Sequence, residues 1–217
     1  MGIKKTTIKA FKWIILFFGI IGFLALAEDV FNKEIMNGDI IGYNFVSNFL
    51  ISEEATPFAV FITNFGGPIM LVGLAVILFM LIRNKKIGVS ILVNLGAITI
   101  LNQLLKQILQ RPRPTGYRLI EESGYSFPSG HSMVSMAFYG YLIYLIYKHI
   151  ENKHLKICMI SLLIILILSI GLSRIYLGVH YTSDVVAGFL ISISYLMAYI
   201  HIVNKFFVRR NEDGLER

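Results

Sequence analysis

The sequence predicts an all-α, polytopic membrane protein: a single domain over residues 1–217, folded as a six-transmembrane-helix bundle. Of the 217 residues, 56% are hydrophobic and 15% are charged, whereas soluble domains carry about 25% charged residues. Six apolar runs follow one another, each near the length of roughly 20 residues that crosses a bilayer as a helix. The runs lie near 11–27, 58–82, 88–108, 130–147, 155–176 and 184–203.

The first run, 11–27, is expected to remain in the protein as the first spanning helix. Its Lys-rich leader, the apolar core that starts at Trp13 and the small residues Ala25 and Ala27 are also typical of a secretory signal peptide. Cleavage of residues 1–27 would leave five helices, and the sequence leaves this alternative open.

A polar, acidic stretch separates the first two runs, from Glu28 to Thr56. Its apolar residues are spaced so that one or two short amphipathic helices could carry them on one face. We expect these helices to lie on the membrane surface, in the first outer loop. The apolar residues are Phe31, Ile35, Ile40, Ile41, Phe45, Phe49 and Leu50.

Three of the later runs contain residues that need a structural explanation. Gly66-Gly67-Pro68 in the second run predicts a kink or a close approach of helices, because its spacing fits no phosphate-binding loop. Asn102, Gln103 and Gln107 in the third run are expected to bond to neighbouring helices. Cys158 in the fifth run has no partner for an internal disulfide, and we expect it to pack in the core.

The basic residues predict the orientation in the membrane. The net charge is +7, but Lys and Arg lie between apolar runs and not along one face, so no nucleic-acid partner is expected. With both termini in the cytoplasm, fourteen of the twenty Lys and Arg residues lie on the inner side, in accord with the positive-inside rule. We therefore expect a multi-pass protein of the plasma membrane with cytoplasmic termini. The fourteen are Lys4, Lys5, Lys9, Lys12, Arg83, Lys85, Lys86, Lys148, Lys153, Lys156, Lys205, Arg209, Arg210 and Arg217.

Three polar clusters interrupt the apolar pattern at the ends of the predicted helices. They are Lys106 with Arg111-Pro112-Arg113-Pro114, then Pro128-Ser129-Gly130-His131, then Ser173-Arg174 with His180 and Asp184. The first follows the third run, the second precedes the fourth run, and the third joins the fifth run to the sixth. All three therefore lie on one face of the membrane, and the orientation above places that face outside the cytoplasm.

The composition of these clusters indicates an anion-binding site. Lys106, Arg113 and Arg174 supply three cations, and the planar guanidinium groups suit phosphate oxygens. Ser129 and Gly130 stand where a helix begins, so that the hydroxyl and free backbone N–H groups can also face an anion. We expect these five residues to bind the phosphate of a substrate.

Three further residues supply groups for catalysis. His180 and Asp184 are four residues apart, which places the carboxylate beside the imidazole on a helix or tight turn. Asp184 would hold one ring N–H and leave the other nitrogen free as a nucleophile. His131 would protonate the leaving oxygen. This reaction needs no metal and no other cofactor.

The spacing of the three clusters resembles the signature of the type 2 phosphatidic acid phosphatase family. Six residues separate Lys106 from Arg113-Pro114, the second element is Pro128 to His131, and five residues separate Arg174 from His180. The signature occupies residues 102–188, and the resemblance extends over about 58–203. It implies the pocket of the vanadium-dependent haloperoxidases, with a nucleophile at His180, a general acid at His131 and phosphate binding by the Lys and both Arg. It also implies six transmembrane helices and independence of Mg²⁺.

The same resemblance implies a lipid substrate, such as phosphatidic acid, phosphatidylglycerophosphate or undecaprenyl diphosphate. A lipid phosphotransferase with the same pocket, or a non-catalytic lipid-binding or transport protein, is the alternative function. His131, His180 and Asp184 also resemble a two-histidine, one-carboxylate metal site, although three cations in the same pocket would repel a metal. Arg111 and Arg118 are expected to be interfacial cations or to contact lipid headgroups.

Overall fold

The computed structural model describes residues 2–33 and 36–205, with side chains described over 13–33 and 36–205. Within these ranges the regular structure is helical throughout, and eight helices follow one another. They are α1 (Gly2–Phe31), α2 (Asn37–Phe49), α3 (Ala55–Asn64), α4 (Pro68–Leu81), α5 (Lys85–Leu109), α6 (Gly130–His149), α7 (Lys153–Tyr176) and α8 (Thr182–Val203).

Capping residues explain where several helices begin. The side chain of Asn84 accepts a hydrogen bond from the N–H of Lys86 at 3.1 Å at the start of α5, and Asn152 accepts one from Leu155 at 3.0 Å at the start of α7. Pro68 occupies the first turn of α4, where its missing N–H costs no intrahelical bond. The sequence therefore fixes these boundaries locally.

The second apolar run is two helices and not one. α3 and α4 are bent by 48° at a short break that contains Gly66 and Gly67. A Cβ atom on Gly66 would lie 2.6 Å from Ile170 and 3.2 Å from His131. The expected kink and the expected close approach of helices are both present, since only glycine lets this break pack against α6 and α7.

α6 lies at the centre of the bundle, with α5, α7 and α8 packed around it. α1 covers α8, α4 packs on α5, and α3 packs on α7. The main core lies among α4, α5, α6, α7 and α8. Its buried side chains include Leu71, Ala75, Ile91, Phe138, Tyr139, Tyr141 and Ile170.

The outer surface of the bundle is apolar, as a protein in contact with lipid requires. Among the described residues, four helices are long and apolar enough to cross a membrane: Trp13–Phe31, Lys85–Leu109, Lys153–Tyr176 and Thr182–Val203. The bent pair α3 and α4 would make a fifth span. The 20 residues of α6 bury two serines and two tyrosines among their apolar side chains, and α6 is not among the four. The prediction of an all-helical membrane protein is confirmed.

One expectation from the sequence is wrong, and others concern residues that the structure does not describe. Cys158 is exposed on α7, so the expectation that it packs in the core is wrong, because this part of α7 turns its apolar side chains outward. Ile35 and the side chains of the terminal cations lie outside the described residues. These cations are Lys4, Lys5, Lys9, Lys12, Arg209, Arg210 and Arg217.

Candidate active site

The polar clusters meet at one end of the bundle, around a cavity of about 500 Å³. The C-terminal ends of α5 and α7, the N-terminal ends of α6 and α8, and the loop over residues 110–129 form this end. Lys106, Arg113, His131 and His180 line the cavity, together with Glu122 from the loop.

A tight turn between α7 and α8 carries His180 into the site. Gly178 has a φ of +70° in this turn, and a Cβ atom there would lie 1.8 Å from the carbonyl oxygen of Tyr117. The N–H of Leu119 also donates to the carbonyl of Leu177 at 3.0 Å. The turn and the loop over residues 110–129 are therefore in direct backbone contact, which only glycine at this position permits.

The imidazole of His180 has a defined orientation. Its Nδ1 lies 3.2 Å from Oδ2 of Asp184, and its Nε2 lies 3.1 Å from a guanidinium nitrogen of Arg113. Because Arg113 can only donate, Nε2 accepts and Nδ1 carries the hydrogen that it donates to Asp184. The lone pair on Nε2 therefore points toward the cationic side of the cavity.

Burial keeps this imidazole neutral. His180 is 4% exposed, and burial lowers the pKa of its imidazolium to about 4, although the hydrogen bond and the charge of Asp184 act in the opposite direction. The charges of Arg174 and Arg113 lower the pKa further. At neutral pH the ring is therefore uncharged, as a nucleophile must be.

Arg113 and Arg174 both contact a carboxylate that the sequence did not point to. Glu122 lies 2.5 Å from Arg174 and 3.5 Å from Arg113, and Arg174 also donates to Thr63 of α3 at 2.8 Å. Arg174 is 1% exposed. A carboxylate thus occupies the position between two guanidinium groups where a phosphate would bind.

His131, Lys106 and Gly130 lie on the α5 and α6 side of the cavity. His131 occupies the first turn of α6 and faces the break at Gly66. The ammonium of Lys106 donates to the backbone carbonyl of Tyr125. Gly130 approaches Asn102 closely, since a Cβ atom on it would lie 3.1 Å from the amide oxygen of that side chain.

Ser129 has a different position from these residues. It is fully buried, and its hydroxyl oxygen accepts hydrogen bonds from the hydroxyl of Ser132 at 3.0 Å and from the Ser132 N–H at 3.4 Å. Its own N–H donates to the carbonyl of Asp184 at 3.0 Å. The side chain caps α6 and joins it to α8, and it is not part of the cavity lining.

Three polar residues of α5, Asn102, Gln103 and Gln107, line the cavity. Asn102 also donates to the carbonyl of Pro128 at 3.3 Å, so it bonds to a neighbouring segment as expected.

Arg111 does not contact lipid headgroups, and that expectation is wrong. Its guanidinium lies 2.7 Å from Oδ1 of Asp184 and 2.7 Å from Oδ2 of Asp39. It also lies 4.0 Å over the ring of Tyr181. The side chain is only 10% exposed, because it is enclosed between α2 and the start of α8. The sequence places Asp39 72 positions before Arg111, and no local signal links the two.

Chemically, the cavity can bind a tetrahedral oxyanion beside an oriented imidazole. Arg113 lines the cavity, and Arg174 lies behind this lining, bonded to Glu122. Both guanidinium groups could bond to an anion that replaced Glu122, and Arg113 would then release the Nε2 lone pair of His180. In the described residues no group of three or more His, Cys, Asp and Glu side chains has the geometry of a metal site. These features suit phosphoryl chemistry based on charge and a histidine nucleophile.

Comparison with known proteins identifies a family and several relatives. Residues 87–207 match the family model of the PAP2 superfamily. Phosphatidylglycerophosphatase B of Bacillus subtilis is 38% identical over 133 residues, which cover 59% of this chain and 65% of that protein. That match therefore spans just under two thirds of the relative. An undecaprenyl-diphosphatase of Sulfolobus acidocaldarius is 26% identical over 204 residues, 88% of this chain and 92% of that protein.

Solved structures agree in fold. The crystal structure of a transmembrane PAP2-type phosphatidylglycerolphosphate phosphatase from Bacillus subtilis has a TM-score of 0.76 at 27% identity, covering 88% of this chain and 96% of that one. Aquifex aeolicus LpxE has a TM-score of 0.61 at 25% identity, covering 73% and 92%. The family model extends over more than half of the 217 residues. The chain belongs to the PAP2 superfamily, and the family resemblance that its motifs indicated is confirmed.

Proposed function

We propose that this protein removes phosphate from a membrane phospholipid or polyprenyl phosphate, by hydrolysing a monoester or pyrophosphate through a phosphohistidine at His180. One observation carries the proposal: Nδ1 of His180 is held by Asp184 while Nε2 faces Arg113 in the cavity. A neutral imidazole oriented by a carboxylate, beside a cationic oxyanion site, is the arrangement that attack on phosphorus needs.

The first displacement forms the phosphoenzyme. Arg113 turns from Nε2 of His180 to the oxygens of the phosphate. The freed Nε2 lone pair attacks phosphorus in line with the lipid oxygen, and the P–O bond to the lipid breaks. His131 is protonated once the negative charge of the bound phosphate offsets the surrounding cations, and it donates this proton to the leaving oxygen. Lys106, Arg113 and Arg174 stabilise the charge on the three equatorial oxygens.

Hydrolysis of the phosphohistidine completes the cycle. A water oxygen attacks phosphorus while His131, now neutral, accepts a proton from that water, and the P–N bond breaks. The electron pair of that bond returns to Nε2 of His180, and inorganic phosphate leaves. Asp184 keeps the hydrogen on Nδ1 throughout and stabilises the positive charge that the ring carries while it is phosphorylated.

The shape of the cavity supports a substrate with an apolar tail. From the polar end at His180 it extends between α4 and α5, where Leu71, Val72 and Leu95 line it. Val72 is 52% exposed on the outer surface of α4, so the apolar part of the cavity adjoins the surface that faces lipid. A headgroup at the cations and a chain between α4 and α5 would both be accommodated.

The relatives narrow the class of lipid. The names of the two matched enzymes specify phosphatidylglycerophosphate and undecaprenyl diphosphate, one a phospholipid monoester and the other a polyprenyl pyrophosphate. Either substrate would place a terminal phosphate between Arg113 and Arg174. Phosphatidic acid remains a candidate on the same chemistry.

Six transmembrane spans are part of this proposal. α6 would be the sixth, because α5, α7 and α8 surround it and a helix shielded from lipid tolerates serine and tyrosine. α1 is retained in this view, since Phe23 and Ala27 pack with Phe127 and Ala187. Cleavage after residue 27 would remove α1 from that core.

α2 would lie on the outer membrane surface as an amphipathic helix. Its inward face buries Asp39 and Val46, while Ile41, Phe45 and Phe49 are 57–74% exposed. An exposed apolar face next to a buried polar residue fits an interfacial helix whose apolar side enters the headgroup region.

The positive-inside pattern supports an active site outside the cytoplasm of a plasma-membrane protein. The chain has one cysteine, Cys158, so a Cys158→Ser background allows a single cysteine to be introduced in its place. Gly116→Cys in the exposed loop should react with a membrane-impermeant maleimide added to intact cells, and Asn152→Cys at the opposite end should not. The reverse pattern would contradict this orientation.

A panel of lipids in detergent tests the proposed reaction. Phosphatidylglycerophosphate, undecaprenyl diphosphate, phosphatidic acid and diacylglycerol pyrophosphate are each incubated with the protein, and inorganic phosphate is measured with and without a chelator. We expect release from at least one lipid, unaffected by the chelator, and a loss of at least about 10³-fold in a folded His180→Ala variant. Lipid binding without release would indicate the non-catalytic alternative, and loss in the chelator would indicate a metal site.

The same panel separates hydrolysis from phosphotransfer. When a second lipid with a free hydroxyl is added, a hydrolase continues to form inorganic phosphate as its main product. Transfer of the phosphoryl group to the added lipid, at the expense of inorganic phosphate, would favour the phosphotransferase.

A further inference from the structure

An ion-pair chain leads away from the catalytic histidine into α2. His180 bonds to Oδ2 of Asp184 at 3.2 Å, Oδ1 of the same carboxylate bonds to Arg111 at 2.7 Å, and Arg111 bonds to Asp39 at 2.7 Å. The side chains of Asp184, Asp39 and Arg111 are 0%, 6% and 10% exposed. Charged groups buried to this degree are costly unless each has a partner of opposite charge, and here each has one.

The two oxygens of Asp184 have separate partners. Oδ2 accepts from Nδ1 of His180 and from the N–H of Tyr181 at 2.9 Å. Oδ1 accepts from Arg111. Without Arg111, a fully buried oxygen would lose its charge-assisted bond and the carboxylate could rotate to seek another. The imidazole, still bonded to Oδ2, would turn with the carboxylate, and Nε2 would no longer be aligned for attack.

Asp39 holds Arg111 and the start of α8 together. Its Oδ1 accepts from the N–H of Ser183 at 2.8 Å, and its Oδ2 accepts from the Ser183 hydroxyl at 2.9 Å as well as from Arg111. α2 can come this close because Gly42 rests on Thr182, where a Cβ atom would lie 2.1 Å from the threonine hydroxyl oxygen. Asp39 therefore sets the position of Arg111 relative to Asp184.

We propose that Arg111 and Asp39 are positioning residues, which act through Asp184 to hold His180 in the tautomer and orientation that attack on phosphorus requires. The inference rests on the proposed function and deepens it, since it adds a buried ion pair from a surface helix to the machinery of the same site. Both side chains lie beyond Asp184, where Arg111 bonds to its Oδ1 and Asp39 bonds to Arg111 and Ser183, so they act through Asp184 and not on the substrate.

The chain of ion pairs from Asp184 to Asp39 affects the pKa of His180. The charged and titratable groups that face His180 are Asp184 of α8, Arg174 of α7, Arg113 of the loop and His131 of α6. Arg111 neutralises part of the Asp184 charge, and Asp39 neutralises part of the Arg111 charge. Removing Arg111 therefore raises the pKa of His180, while removing the charge of Asp39 lowers it.

The test compares Arg111→Gln, Arg111→Lys and Asp39→Asn, with the double variant Arg111→Gln/Asp39→Asn. Asparagine keeps an oxygen for the N–H of Ser183, but it removes the charge and replaces the oxygen that accepts from Arg111 with an NH2 group that can only donate. Arg118→Gln on the same loop and Glu53→Gln, which is exposed beside α2, are matched controls. Each protein is checked for a wild-type melting transition in detergent, and kcat, KM and the pH profile of phosphate release are measured on one lipid.

We expect Arg111→Gln to lower kcat by about 10²-fold with little change in KM, because a small misplacement of a reacting group has this effect. Arg111→Lys should restore part of the loss. Asp39→Asn should lower kcat less, and it should have no further effect in the Arg111→Gln background. The acid limb of the profile should move to higher pH in Arg111→Gln and to lower pH in Asp39→Asn.

Two results would overturn the inference: wild-type kcat in both single variants, or losses that add fully in the double variant with the acid limb unmoved. The second pattern is that of two separate structural contacts. The His180→Ala variant keeps this outcome distinct from failure of the proposed function. An active His180→Ala protein contradicts the function itself, whereas an inactive one with fully active Arg111 and Asp39 variants contradicts the positioning role alone.

Discussion

At the scale of single residues, the candidate site is held by opposed charges around a neutral histidine. Arg113 and Arg174 both contact Glu122, and Asp184 contacts Arg111. Each arginine is therefore paired before any substrate arrives. A phosphate that binds here must replace Glu122 as the partner of two guanidinium groups, so the carboxylate competes with the substrate.

Substitution of Glu122 by glutamine should strengthen oxyanion binding. The variant keeps the shape of the side chain and removes the competing charge, so vanadate and inorganic phosphate should inhibit at about tenfold lower concentration, the range expected when one charge-assisted hydrogen bond no longer has to be replaced. The inhibition constants of wild type and variant, measured at one salt concentration, check this.

Glu121→Gln is the matched control, because Glu121 is adjacent and exposed and its loss changes the net charge equally. Its inhibition constants should stay near those of wild type. Weaker inhibition in Glu122→Gln than in wild type would show that Glu122 orders the arginines for phosphate and does not compete with it.

The sequence was sufficient to predict the cationic and histidine residues of the site. It did not predict the residues that act only through contacts formed in the fold. Lys106, His131 and His180 are recognisable because cations and histidines at the ends of apolar runs are costly without a role. Asp39 lies 144 positions from Ser183, within a stretch that is polar in general. Its role depends on how α2 packs, which no spacing in the sequence encodes.

At the scale of helices, the placement of α2 on α8 is the feature that the site depends on most. Gly42 permits the contact with Thr182, and Asp39, one turn earlier, reaches Ser183 as a result. The break between α3 and α4 has a comparable effect, since Gly66 lets the break meet His131. Gly42 thus lets α2 approach α8, and Gly66 lets the break between α3 and α4 approach α6, at the same end of the bundle.

Gly42→Val should displace α2 and lower activity without altering any charge. The added side chain meets Thr182, so we expect kcat for phosphate release to fall by about tenfold or more as Asp39 moves away from Arg111. Gly38→Val is the control on the same helix, because nothing lies within 4 Å of a Cβ atom there. Both changes alter helix propensity equally, so equal activity in the two variants would contradict the role assigned to the α2 contact.

At the scale of the whole molecule, composition and apolar runs were sufficient to predict an all-helical membrane protein. The helix boundaries were harder to predict from the sequence. The run 58–82 is divided by a 48° bend, and α1 continues to Phe31, beyond the apolar run that predicted it. α6 is not apolar enough to count as a span by hydropathy, although α5, α7 and α8 pack around it, and a count of spans from hydropathy is least informative for such an enclosed helix.

The central claim is a covalent intermediate on His180, and the stereochemical course at phosphorus tests it most directly. A lipid thiophosphate monoester made chiral with oxygen isotopes is hydrolysed by the wild-type protein in isotopically labelled water, and the configuration of the released thiophosphate is determined. Two in-line displacements, on His180 and then on phosphohistidine, each invert the configuration, so the account predicts net retention. Net inversion would mean that water attacks the lipid phosphate directly, and it would contradict a phosphohistidine at His180.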